Sequence, residues 1–195
     1  MTKTVVLFNG PPRSGKDTYA KELAKLLPNS IHVHFAEILK KATHNAFGLL
    51  DIPYDYFEER KDISCEELYG AKPRDCYIHL SENVFKPLCG KDYFVRRMYN
   101  DIIKNTDCEF ILISDCGFNI ESEYLSKCDD IRCFYCVLER DGHDFSNDSR
   151  EYIDLNSINL ERDVYIKYIN RENQIDNLTK EIFNDIMEFT NNGNV

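Results

Sequence analysis

Val5-Val6-Leu7-Phe8-Asn9-Gly10-Pro11-Pro12-Arg13-Ser14-Gly15-Lys16-Asp17-Thr18 is the stretch that decides the fold. It opens with an apolar run, passes through a loop flanked by Gly10 and Gly15, and ends on Lys16 at the start of a helical pattern. The physical sense of that order is anion binding. Glycines at both ends let the backbone curl, so that successive N–H groups point inward as a nest. The helix that follows adds unpaired first-turn N–H groups and the positive end of its dipole. Lys16 adds a point charge suited to the outer phosphates of a nucleoside triphosphate.

Gly10, four residues, Gly15 and Lys16 have the spacing of a P-loop, and the flanks agree with it. The run Val5 to Phe8 reads as a buried strand. Behind the loop, Tyr19, Leu23, Leu26 and Leu27 fall on one side of a helix and Lys21, Glu22 and Lys25 on the other. Asp17 follows the lysine, where many P-loops carry a Ser or Thr on magnesium. Thr18 can take that role one position on, and Asp17 can hold a magnesium-bound water.

The 195 residues, 43% hydrophobic and 30% charged, suffice for one domain with a sizeable core. No apolar run approaches the ~20 residues that cross a bilayer. The N-terminus opens on a strand instead of a charged start and an apolar signal segment, so a soluble intracellular (cytoplasmic) protein is expected. The net charge of −10 argues against nucleic acid as a partner. It also means that a site for anionic nucleotides must be built from local arginines and lysines. Eight cysteines in such a chain are expected as reduced thiols. Cys133 and Cys136 have C-x-x-C spacing but lie in a strand pattern, where they face opposite sides, and read as packing residues.

Further along, Ile31 to Phe35 alternates as a second strand with His32 and His34 on one face; no third metal ligand is near them in the sequence. Ala36 to Phe47 is a helix ending at Gly48, with Lys40 and Lys41 near its middle. Asp51 to Gly70, acidic, aromatic and broken by Pro53, reads as a mobile helical insertion and a candidate substrate flap. Pro73 opens another helix, running to Pro87. A further helix carries Tyr93, Phe94, Met98, Ile102 and Ile103, with Arg96 and Arg97 on it. Phe110 to Ser114 is a doubly buried strand ending in Asp115, where P-loop enzymes keep a second metal-organising acid. Cys133 to Leu138 is the next strand. The polar stretch after it, with Arg140 and Arg150, reads as a lid that folds over phosphates, or as a segment in which Arg150 merely pairs with its acidic neighbours. Val164 to Ile169 is the fifth strand, Asn170 to Asn173 turns the chain, and Ile175 to Phe189 marks a last amphipathic helix. The tail Asn191 to Val195 is expected to fray.

This order of elements resembles that of nucleoside monophosphate kinases. Gly10 to Thr18 is similar to the adenylate kinase loop, but carries Arg13 and Asp17 in place of glycines. Arg13-Ser14-Gly15-Lys16-Asp17-Thr18 instead resembles the phage deoxynucleoside monophosphate kinases. Phe35-Ala36 with Leu39-Lys40 and Ala42 looks like the exit of that family's second strand. Lys72-Pro73-Arg74-Asp75 and Gly90-Lys91-Asp92-Tyr93 look like its helical substrate region. Asp115 to Glu121 resembles an Asp-x-Arg-Phe-x-x-Glu motif, and Asp148-Ser149-Arg150 a lid motif. The motif's arginine is Gly117 here, which leaves Arg74, Lys40 or Arg96 to carry its charge.

The resemblance implies a single three-layer α/β/α P-loop NTPase domain with a five-stranded parallel sheet. Residues 36–108 would form a helical substrate-binding insertion and 139–162 a lid. It implies transfer of the γ-phosphoryl of ATP, with Mg2+, to a deoxynucleoside 5′-monophosphate. Gly10, Pro11, Ser14, Gly15, Lys16, Asp17 and Thr18 would hold the donor phosphates, and Asp17, Thr18 and Asp115 the metal. Lys16, Arg13, Asp115, Arg140 and Arg150 would serve catalysis, Lys40 and Arg74 the acceptor phosphate, and Glu121 its sugar or base. A homodimer is the state that related phage kinases suggest. A kinase of another small phosphorylated metabolite, a nucleotide-binding module without transferase activity, and an interaction protein with a vestigial loop remain as alternatives.

Overall fold

The computed structural model describes residues 2–49, 51–146, 148–172 and 174–192. Of the expectations above, those for Asn147 in the lid, Asn173 in the turn and Gly193–Val195 in the tail fall outside these residues. The chain forms two compact units, Met1–His34 with Tyr99–Val195, and Phe35–Met98. The second unit ends at Met98, short of the boundary at 108 expected for the insertion.

The first unit is mixed α/β. Strands β1 (Lys3–Asn9), β2 (Ser30–Val33), β3 (Phe110–Ile113), β4 (Ile131–Glu139) and β5 (Val164–Ile169) form one sheet in the order β2-β3-β1-β4-β5. Every neighbouring pair is parallel, with Val5 opposite Ile111 on one side and Cys133 on the other. Burial on both faces explains why β1, β3 and β4 read as continuous apolar runs and not as alternation. Helix α1 (Lys16–Leu26) and the C-terminal helix of this unit (Ile175–Asn192) cover one face. Tyr19, Leu23, Leu178, Ile182, Ile186 and Phe189 pack there on Val6, Phe8, Phe134, Cys136 and Leu138. The alternate residues Val5, Leu7, Ile111, Cys133 and Tyr135 are buried on the other face. The helix Asn119–Leu125 lies on that side, and its C-cap Ser126 meets the Tyr135 hydroxyl at 3.2 Å. Helices on both faces of a parallel sheet make a three-layer α/β/α arrangement. Cys133 and Cys136 are both buried free thiols on opposite faces, as the strand pattern requires.

The second unit is helical. It comprises α2 (Phe35–Ala46), α3 (Tyr54–Glu58), α4 (Pro73–Leu80), α5 (Lys86–Cys89) and α6 (Tyr93–Met98). The two helices of the first unit named above are therefore α7 (Asn119–Leu125) and α8 (Ile175–Asn192). A π-helical turn, Ser81–Phe85, joins α4 to α5, where the sequence pattern implies unbroken helix. Phe35 starts α2 and does not end β2. The segment 51–70 is not without a core of its own: Phe57, Cys65 and Leu68 are buried with Cys76. Among the described residues no helix is long and apolar enough to cross a membrane.

One buried side chain ties the carboxyl edge of the sheet together. Asn9, fully buried, donates from Nδ2 to the carbonyls of Cys116 (3.1 Å) and Glu151 (3.0 Å) and accepts from the Ile153 N–H (3.1 Å). The expected lid, 139–162, is thus fastened to β1 around residues 151–153. Each buried partner left unsatisfied costs about 1–3 kcal/mol. Asn9→Ala is expected to destabilise the protein by about 2–4 kcal/mol, read from urea unfolding. A loss under about 0.5 kcal/mol, as at an ordinary surface site, would remove the role assigned to this residue.

Candidate functional site

All five strands run in parallel, so their carboxyl ends share one edge, and in open parallel sheets ligands bind along that edge. Asn9, His34, Asp115, Arg140 and Asn170 stand at or just beyond these five ends. The glycine-flanked loop leaves β1 at the middle of the edge. A Cβ on Gly10 would lie 2.4 Å from the Leu138 carbonyl oxygen and 2.7 Å from Ser14 Oγ, so only glycine lets the loop lie this close to β4. Gly15 (φ +99°) and Arg13 (φ +65°) are both left-handed; at Arg13 that conformation costs about 1 kcal/mol or more. Two clamps hold the curl. Asn170 donates from Nδ2 to the Ser14 carbonyl (2.8 Å) and accepts from the Tyr19 hydroxyl (2.8 Å). Arg140 donates to the Arg13 carbonyl at 3.0 Å. Inside the curl, Ser14 Oγ is fully buried and has no hydrogen-bond partner among the described residues.

Lys16 starts α1 and folds back, donating from Nζ to the carbonyls of Gly10 (2.7 Å) and Pro11 (2.8 Å). Burial, with the nearby Arg150 charge adding to it, lowers its pKa to about 8. Asp17, Asp148 and Asp115 pull the other way. Arg150 is held by a bidentate pair with Asp148, Nε to Oδ1 at 2.8 Å and Nη2 to Oδ2 at 2.6 Å. That pair draws the Asp148 carboxyl down to about 2 and raises the guanidinium. Arg150 thus pairs with an acid, and its charge is felt by the loop lysine.

The stem of Arg150 fills the space beside Gly117. A Cβ there would lie 2.6 Å from Arg150 Cδ and 2.8 Å from its Cβ and Cγ. A side chain at 117 and the stem of Arg150 exclude one another. The segment after β4 thus places the Arg150 side chain beside the position where the motif would carry an arginine.

Asp115 follows β3 and is partly exposed, within the field of both Lys16 and Arg150. Glu121 is turned inward. It is buried, and its Oε2 accepts from the N–H groups of Gly117 (2.9 Å) and Phe118 (3.1 Å) at the start of α7. Burial, with Asp115 adding to it, raises its pKa to about 7 against those two bonds. In this position its Oε2 organises the β3–α7 loop.

On the other side of the loop, Gly15, Thr18, Tyr19, Arg140, Asn170 and Ile175 line a cleft of about 270 Å³. Asn170 was missed as a site residue. Its signal was positional, since it is the first polar residue beyond the apolar β5.

His32 and His34 meet a third group after all. The edge brings β2 beside the first turn of α1, and one ligand atom from each of Asp17, His32 and His34 falls within 4.8 Å of the others. His34 Nε2 lies 3.2 Å from Asp17 Oδ1, which also accepts from the Ser114 hydroxyl at 2.5 Å; that hydroxyl is 2.9 Å from His32 Nε2. The His34 and Ser114 hydrogen bonds hold the Asp17 carboxyl well below the usual range, against the opposing effect of burial.

Lys40, Arg74 and Arg96 belong to the second unit and are paired within it. Lys40 donates to Glu58 (2.6 Å), Arg74 to Asp62 (2.6 and 3.2 Å), and Arg96 to Asp92 (3.4 Å).

No protein-family model and no curated protein matches the chain. Among solved structures it is similar to an uncharacterized protein from Eubacterium ventriosum ATCC 27560. The two are 14% identical over 96% of this chain and 99% of that one, with a TM-score of 0.42, too weak a likeness to bear on function.

The Gly117–Arg150 packing makes a quantitative expectation. Gly117→Ala is expected to cost about 1–3 kcal/mol by overpacking. Most of that cost should vanish in an Arg150→Ala background, measured as a double-mutant cycle by chemical denaturation. Additive effects of the two substitutions would show that the stem and residue 117 do not compete.

Proposed function

We propose that Gly10 to Thr18 is a P-loop, and that the protein is an ATP-dependent kinase of deoxynucleoside 5′-monophosphates, of the phage-type family that its loop resembles. The observation that carries this reading is the buried Ser14 hydroxyl, without a partner among the described residues, inside a curl closed by Lys16. A buried unpaired hydroxyl costs about 1–3 kcal/mol, and a phosphate oxygen is the kind of acceptor that removes that cost. Lys16, Arg150 and Arg140 gather positive charge at this one edge in a chain whose net charge is −10.

Phosphoryl transfer needs alignment, charge neutralisation and exclusion of water, not covalent chemistry by the protein. In this reading the loop N–H groups and Lys16 grip the donor phosphates. Arg150, with Arg140 and Arg13, faces the charge that spreads over the transferring group. An oxygen of the acceptor phosphate attacks the γ-phosphorus, the bond to the β–γ bridging oxygen breaks, and ADP leaves with that electron pair. Asp17, Thr18 and Asp115 offer oxygen donors, a set suited to Mg2+, which when bound neutralises phosphate charge. The acceptor is assigned to Lys40 and Arg74 from the resemblance alone.

The experiment is a coupled ADP-release assay with ATP, Mg2+ and each deoxy- and ribonucleoside monophosphate in turn. Base-dependent turnover is expected. Lys16→Ala should lower it about 10²–10³-fold, and Arg150→Ala should lower kcat more than it weakens ATP binding. Turnover only with a non-nucleotide phosphate acceptor would move the reading to another small-molecule kinase. ATP binding without transfer to any acceptor would leave a nucleotide-binding module.

A further inference from the structure

We propose that His32, His34 and Asp17 form a binding site for a divalent transition-metal ion of the zinc, cobalt or nickel class, at the carboxyl edge of the sheet. One nitrogen of each ring and one carboxylate oxygen lie within 4.8 Å of one another. The three come from backbone that is fixed independently. His32 sits on β2, in register with Leu112 of β3; His34 follows directly after β2; Asp17 is in the first turn of α1. The two rings lie 4.6 Å apart between centroids, tilted by 48°.

The geometry fits the bond lengths of such an ion. Bonds of about 2.0–2.2 Å in tetrahedral arrangement place neighbouring ligand atoms about 3.3–3.5 Å apart. His34 Nε2 and Asp17 Oδ1 are already 3.2 Å apart. Since all three lie within 4.8 Å of one another, no separation has to close by more than about 1.5 Å to reach that spacing. Rotation of the side chains supplies this, because those of His34 and Asp17 are 39% and 65% exposed. Ser114 Oγ, within hydrogen-bond distance of both His32 and Asp17, sits where it can orient the carboxylate or give way to a water on the metal.

The donor set selects the ion. Two imidazoles and one carboxylate suit zinc, cobalt and nickel, whereas magnesium and calcium prefer all-oxygen shells. This site is therefore distinct in chemistry from the oxygen donors assigned to magnesium above, but it shares Asp17 with them. If that kinase reading holds, a bound transition metal withdraws Asp17 from the magnesium set and inhibits transfer. Metal binding itself involves no nucleotide, so its failure and that of the kinase reading are separate results.

The test titrates the full chain, freed of metal by chelation and desalting, with Co2+ and Zn2+ by calorimetry and by Co2+ visible absorption. One equivalent is expected to bind at least tenfold more tightly than Mg2+. His32→Gln and His34→Gln are each expected to weaken that binding tenfold or more. In the wild-type protein, which avoids any folding defect of the variants, Zn2+ should shift the ring ¹⁵N resonances of His32 and His34 and leave those of His44, His79 and His143 in place. Wild-type binding no tighter than that of Mg2+ would overturn the proposal. So would undiminished binding in the double glutamine variant, or thiolate-to-cobalt charge transfer, which would place the ion on cysteines.

Discussion

Two positive charges share the mouth of one loop, and the rest of the site is arranged around that fact. Lys16 is mostly buried, and the Arg150 charge adds to that, so its ammonium is held with a pKa of about 8. The arrangement persists because each cation has its own partner: loop carbonyls for Lys16, the Asp148 carboxylate for Arg150. Taking charged groups out of water is costly unless they are paired; Arg150 has its carboxylate, while Lys16 has two carbonyls and, among the described residues, no acid bonded to it, so that burial lowers its pKa. A polyanion in the curl would gain from both cations at once. This is the physical basis for reading the edge as a phosphate site.

Room for the second cation depends on an absence. Gly117 has no side chain, and the stem of Arg150 lies where one would be. The backbone of the segment that carries Arg150 is in turn fixed by Asn9, through the Glu151 carbonyl and the Ile153 N–H. The chain thus sets the stem of Arg150, from beyond β4, against the glycine that follows β3.

Much of this was legible in the sequence. The doubly buried runs at Val5–Phe8 and Phe110–Ile113 announce a parallel sheet, because only burial on both faces removes alternation. The loop, Lys16 and Asp115 follow from spacing along the chain. What stayed hidden depends on contacts between distant residues. Nothing near Gly117 in the sequence points to Arg150. Asn9 and Asn170 look like ordinary strand-end polar residues until the edge brings their partners to them. His32 and His34 lacked a third ligand only because Asp17, earlier in the chain, reaches them through the adjacency of α1 and β2. Glu121 was placed on the substrate side by its motif, while burial turns it toward the backbone of its own helix start.

The most direct test of the phosphate site is ATP binding as a function of pH, by calorimetry from pH 7 to 10. A bound polyanion favours the charged lysine, so affinity should be level below the free-protein pKa of about 8 and fall as pH rises through it. Arg150→Ala removes a charge that lowers this pKa, so in that variant the fall should begin at higher pH, on top of any general loss of affinity. Absence of ATP binding at every pH, or a profile in which Lys16→Ala falls with the same inflection as wild type, would contradict the account.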